Sequence, residues 1–177
     1  MSAISNLLDA LNSLVLEDED GNDLLVHTRP GVCERDLQDW EHNNTVHLPA
    51  ELRDLLTVSN GIGFFGLEIV SVGSLQYFPQ AGIIAFHNWG NGDFDCVAAS
   101  PSAYSEGTVL FMNHSPDVVV PIAASLHEWI ERIVGELRTR GAVLHPADYR
   151  LSTTTGGVYR LVTGELAGRE CELNSDC

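Results

Sequence analysis

The chain has 177 residues, 44% of them apolar, with ordinary glycine and proline counts, which suits one globular domain with appended segments and excludes a disordered chain. It carries 25 acidic residues against 9 basic ones, a net charge of −16, and every basic residue is arginine. Such a surface repels phosphate backbones and anionic lipid, so it argues against nucleic-acid and membrane binding and favours a basic protein partner.

No run of about 18 apolar residues is present to span a bilayer. The start of the chain lacks the basic cluster and apolar block of a secretory leader. Cys33, Cys96, Cys171 and Cys177 form no C-x-x-C pair, so reduced thiols and a cytoplasmic location are expected.

In chain order, residues 2–16 place Ile4, Leu7, Leu8, Leu11, Leu14 and Val15 on one helical face. The acidic run Glu17–Asp20 leads into a turn at Gly21–Asp23, and a short strand is predicted over Leu24–His27. A second helix is predicted over Cys33–His42, with Leu37 and Trp40 turned inward. A third opens at Leu48-Pro49, where proline suits the first turn, and leaves through Asn60-Gly61.

That exit begins a G-x-G-x-x-G string at Gly61, Gly63 and Gly66. A dinucleotide site needs a strand before the glycines and a helix after them. Here a helix precedes and a strand, Leu67–Val72, is predicted to follow, so the glycines read as a turn and not as a nucleotide site.

From Gly82 to Ala99, Asn91-Gly92 between two apolar runs predicts a hairpin. A two-residue turn there sets Trp89 opposite Phe94, Asn88 opposite Asp95 and His87 opposite Cys96. Gly107–Asn113 reads as the next strand, with Asp117–Val120 either extending the pairing or forming a loop edge. Ser125 and Glu128 form a capping box before a helix whose apolar face is Leu126, Trp129, Ile130, Ile133, Val134 and Leu137. Residues 149–152 and 158–162 suggest an added hairpin.

The motif order resembles the SUKH superfamily: Leu48-Pro49 opening a helix that ends Ser59-Asn60-Gly61, the Ile83–Phe86 hairpin with Gly90-Asn91-Gly92-Asp93, a strand from Gly107-Thr-Val, and Ala124-Ser125-Leu126 with Trp129-Ile130. The resemblance covers residues 31–138. It implies an α+β domain with a mostly antiparallel sheet packed against helices, spanning about 31–140. An N-terminal helix and acidic turn (1–30) and a C-terminal extension (141–177) flank it. It also implies a non-catalytic protein-binding role, since many bacterial members look like immunity proteins that block toxins and fungal relatives regulate cell-wall synthesis.

The chemistry-bearing residues fit that reading. Asp93 and Asp95, at i and i+2, with Asn88 and His87 nearby, offer oxygen ligands to a hard metal, but no motif supplies the further ligands of a hydrolytic site. The simpler expectation bonds Asp93 to turn backbone and points Asp95 to solvent or Asn88. A Cys96–His87 cross-strand pair would set a thiol beside an imidazole, the minimum for nucleophilic catalysis, although register neighbours more often simply pack.

No residue is therefore assigned to catalysis, a cofactor or a metal. Residues 54–131 hold eight acids and no arginine or lysine, the charge that would steer an inhibitor onto a cationic toxin cleft. Glu68, Asp93, Asp95 and Glu106 are the candidate partner-binding acids, with Phe64, Phe65 and Tyr77 as apolar anchors. The leading expectation is a cytoplasmic immunity protein for a basic toxin. The alternatives are a regulatory or scaffold module and a small metal-dependent hydrolase.

Overall fold

The computed structural model describes residues 3–17, 20, 21, 23–64, 67–114, 117–143, 145 and 146, together with strands at 151–154, 158–161 and 170–172. Helices α1 (Ala3–Asn12), α2 (Glu34–Asn44), α3 (Ala50–Val58) and α4 (Leu126–Arg140) accompany strands that follow one another in antiparallel pairs, an α+β fold. The small pair β1 (Leu16–Glu17) and β2 (Asp23–Leu24) precedes β3 (His27–Pro30), so the strand expected over Leu24–His27 divides in two.

The main sheet contains eight strands. Besides β3 they are β4 (Ser59–Phe64), β5 (Leu67–Ile69), β6 (Gln76–Phe78), β7 (Ile83–Asn88), β8 (Phe94–Ala98), β9 (Val109–His114) and β10 (Asp117–Ala123). Their order is β10-β9-β8-β7-β5-β4-β3, and β6 pairs with the first half of β7 where β5 pairs with the second. Thus β10 does extend the pairing, and β5 is shorter than expected, giving way to a 3-10 turn at Val72–Ser74. Beyond the sheet, β11 (Leu151–Thr154), β12 (Val158–Leu161) and β13 (Glu170–Glu172) form a separate antiparallel meander with one strand more than expected. Tyr149, Arg150 and Val162 of the expected hairpin lie outside the described residues.

One face of the sheet carries the helices. Ile4, Leu8 and Leu11 of α1, Leu52, Leu55 and Leu56 of α3, and Trp129, Ile130, Ile133 and Leu137 of α4 are buried in one core with Ile62, Ile84, Phe86 and Phe111. Each helix contributes its apolar stripe, as the 3.6-residue period requires. The opposite face holds a smaller cluster of Ile83, Ala85, Cys96, Ala98 and Leu110, partly covered by Phe78, Ala81 and Tyr104.

Two expected boundaries change. Helix α3 does not exit through a left-handed Asn60-Gly61. Ser59 is already extended, and its hydroxyl donates to the carbonyls of Arg29 and Gly61, locking the chain straight into β4. Gly61 and Gly63 therefore lie in a strand rather than a turn, and Gly66 lies outside the described residues. Gly61 still needs to be glycine, because its φ is +103°. Pro49 is the residue flanking α3 rather than its first helical residue.

Helix α4 starts where the capping box places it. Ser125 Oγ accepts the Glu128 N–H at 3.1 Å, while Glu128 Oε2 accepts from Ala124 N–H rather than from Ser125 itself. Glu51 of α3 accepts the His127 N–H at 3.0 Å, tying the two helices at this end and leaving His127 half-buried. Gly141, with φ +69°, closes the helix.

Ser125→Ala should lower stability by about 1 kcal/mol through the lost cap. Trp129→Ala should lower it by about 3–5 kcal/mol, because the ring is wholly buried. Urea midpoints of the two variants read both effects; a Trp129→Ala midpoint equal to wild type would contradict its place in the core.

Candidate functional site

The chemistry-bearing residues gather where β7, β8 and β9 reach the hairpin tip beside α4. Strands β7 and β8 pair Ala85 with Cys96, then His87 with Asp95 and Asn88 with Phe94, so Phe86 is the extra residue of a bulge. The connection is not a two-residue Asn-Gly turn. It runs from Trp89 to Asp93, whose backbone carbonyl accepts the Trp89 N–H at 3.1 Å. The expected pairings of Asn88 with Asp95 and His87 with Cys96 are both off by one.

The bulge has a chemical effect. It lets both Phe86 and His87 face the helices, whereas strict alternation would send His87 to the other face with Ala85. The Phe86 ring meets Trp129 edge-on at 5.1 Å. The His87 ring stacks on Phe64 and meets Trp89 and Trp129 at 4.7 and 5.1 Å.

Asp95 completes the cluster, and it faces neither solvent nor Asn88. Its Oδ2 accepts the Trp129 indole N–H at 2.9 Å and lies 3.1 Å from His87 Nδ1. Asp95, His87 and Trp129 are each 0% exposed. A carboxylate in so dry a place is stabilised only by such donors.

Asp93 holds a second knot nearer the surface. Its Oδ1 accepts from the His114 N–H at 3.0 Å and lies 2.6 Å from His114 Nδ1, and its Oδ2 accepts from the Asn91 side chain at 3.0 Å. His145, just beyond α4, brings Nε2 within 3.0 Å of Oδ2, and its ring packs edge-on against Trp89 and Phe111. One carboxylate thus joins the hairpin loop, the end of β9 and the chain leaving α4. Burial pushes the Asp93 carboxyl up, but His114, Asn91 and the His145 charge outweigh it and hold it below its ordinary value.

These placements revise the partner-binding set. Asp95 is sealed inside and Asp93 is only 3% exposed, so neither can meet a partner as an exposed carboxylate. Glu68 is exposed on β5, 3.2 Å from Arg29, and Glu106 is exposed in the turn between β8 and β9. Phe64 is buried, Tyr77 is half-buried, and Phe65 lies outside the described residues.

Cys96 faces the smaller cluster, away from His87, and burial together with the Asp95 charge pushes its thiol well above the ordinary value. It is a packed thiol and not a nucleophile. Among the described residues no group of three or more His, Cys, Asp and Glu is arranged to hold a metal ion. His114, His145 and Trp89 were missing from the sequence-based site; the Asn91-Gly92-Asp93 loop was its only local signal.

The Asp93 knot has a pH signature. Its folded carboxyl titrates below the unfolded one, so its stabilisation is present above the unfolded value near 3.8 and is lost as pH falls through the lower folded value. Asp93→Asn should flatten this acid limb, read as urea midpoints between about pH 2 and 6; a limb of unchanged steepness would assign it to other carboxyls. Asp95→Ala should cost about 3–5 kcal/mol, because it strands a buried indole N–H and a buried imidazole.

Among the described residues no helix is long and apolar enough to cross a membrane. No curated protein matches the chain. A family model does match, over residues 31–132, more than half of the length and nearly the whole main sheet with α2, α3 and the start of α4. With its L-P helix, hairpin and capped helix all placed in that span, the chain belongs to the SMI1 / KNR4 family (SUKH-1).

Proposed function

We propose that this chain is a non-catalytic immunity protein that binds and occludes a basic toxin domain. The family includes toxin-immunity proteins and fungal regulators, whose members typically work by binding partner proteins. The observation that carries the reading here is how the acids divide. The two carboxylates that sit beside histidines, Asp93 and Asp95, are consumed in holding the fold. The exposed acids of the same arginine-free segment, Asp54, Glu68, Glu106 and Glu131, remain at the surface to attract a cationic partner.

An inhibitor of this kind gains association rate from long-range attraction and affinity from a few buried side chains. Glu68 and Glu106 are the steering residues. Asp93, named with them from sequence, acts indirectly by fixing the hairpin tip, so its substitution disturbs the fold rather than the steering.

Purification of the chain from its native host should recover a stoichiometric basic toxin domain, and co-expression of the chain with that domain should restore growth. Recovery of a different partner, or unchanged growth arrest, would overturn the reading. With the purified toxin domain, Glu68→Lys and Glu106→Lys should slow association more than they speed dissociation. The loss should shrink as ionic strength rises, since charges more than about 10 Å apart at 0.1 M are screened. Stopped-flow association at low and high salt measures it; rates that ignore both salt and substitution would assign the acidity to solubility alone.

A further inference from the structure

Among the described residues the helices cover one face of the sheet, and on the other one register row stays open. Inward from His27 of the edge strand, which pairs with Gly63, the row has six members: Gly63 pairs with Glu68, Glu68 with Asn88, Asn88 with Phe94, Phe94 with Met112 and Met112 with Val119. The neighbours of these residues along each strand, Ile62, Phe64, Ile69, His87, Asp95 and Phe111, are buried toward the helices, so the row itself lies on the helix-free side. None of its six members is fully buried. Phe94, Met112 and Val119 pack only partly on the small cluster beneath them, and Glu68 and Asn88 are exposed. The row is apolar at the β10 end and polar toward β5.

Gly63 supplies an independent sign. Gly31 is dictated by packing, because a Cβ there would overlap the Thr57 carbonyl oxygen, and Gly61 is dictated by its positive φ. Gly63 has neither constraint: a Cβ would meet His27 at no closer than 3.9 Å, an ordinary contact. A glycine in mid-strand forfeits β propensity and leaves a shallow gap, a pattern found where another chain approaches the backbone closely.

We propose that this row is the partner-binding surface, and that its occupant is a basic protein segment carrying apolar side chains. The proposal rests on the immunity reading above and locates its interface. The apolar side chains seat on Phe94, Met112 and Val119, the partner's backbone passes over Gly63, and its cation meets Glu68. The charge fits, because all six residues belong to the segment of 54–131 that has no arginine or lysine. The Arg29–Glu68 pair does not block this, since both side chains are about half exposed, at 60% and 47%, and such pairs are readily exchanged.

The probe is a twelve-residue peptide alternating arginine and valine, titrated into the nitrogen-15-labelled full chain. Peptides alternating glutamate with valine and arginine with serine serve as controls. The first peptide should shift the amides of Gly63, Glu68, Asn88, Phe94, Met112 and Val119, the glutamate peptide should shift none, and the serine peptide should bind at least tenfold more weakly. Gly63→Val should weaken the first peptide at least tenfold while the melting temperature holds or rises, as a β-branched residue in a strand allows.

Equal binding by Gly63→Val would overturn the proposal, as would shifts confined to α2 and the acidic sequence run 17–20, where charge alone would be responsible. Row shifts that depend on protein concentration without peptide would assign the surface to a second copy. A Met112 methyl shielded from a soluble paramagnetic agent in the free chain would assign it to the chain's own C-terminal segment. Either result would overturn the proposal. Failure of the growth assay defeats the immunity reading without altering what the peptide maps, so the two failures are separable.

Discussion

The hydrogen bond from the Trp129 indole to Asp95, with His87 on the same carboxylate oxygen, is the constraint on which the rest of the fold turns. It is the polar link between the longest helix and the middle of the sheet, and it lies in the dry interior where an unpaired charge would be untenable. Apolar packing alone would hold α4 against the sheet over a range of rotations. A directional bond to one carboxylate selects one of them and fixes which residues of α4 face β7 and β8. The bulge at Phe86 makes the arrangement possible, because only an extra residue brings Phe86 and His87 to the same face.

The same hairpin carries a second, wetter anchor. Asp93 sits at the tip and collects His114, Asn91 and His145 from separate parts of the chain. The inner carboxylate sets the angle of the helix on the sheet, and the outer one sets where the chain goes after the helix. The inner anchor lies on the helix side, and the ion pair described on the opposite side is the exposed Arg29–Glu68 contact. That separation lets one face be rigid while the other stays available.

What could be read from sequence followed local periodicity. Helix α4 was plain because Ser125, Glu128, the apolar stripe and Gly141 all agree within one segment, and the helix observed has those ends. The hairpin was plain for its Asn91-Gly92 signal, but its register was not. Ile83-Ile84-Ala85-Phe86 is an unbroken apolar run, buried on both faces, so alternation gives no phase and the bulge carries no marker of its own. The roles of Asp93 and Asp95 were hidden for a different reason. Their partners His114, Trp129 and His145 stand 21, 34 and 52 positions away, and no local rule connects residues at that range. The family resemblance recovered the fold because it records those distant relations implicitly.

The docking of α1 on α4 has a bearing on how the chain is made. The sheet is assembled almost wholly from strands that neighbour one another in sequence, so its pairings can form as the chain lengthens. Helix α1 is different: Ile4, Leu8 and Leu11 share their core with α4, whose residues are translated more than a hundred positions later. Until α4 leaves the ribosome the apolar stripe of α1 has α3 but not α4 to pack against, so part of it stays open during that interval. Closure of α1 on α4 is then the step that seals this core, and it must wait until more than a hundred further residues have been made.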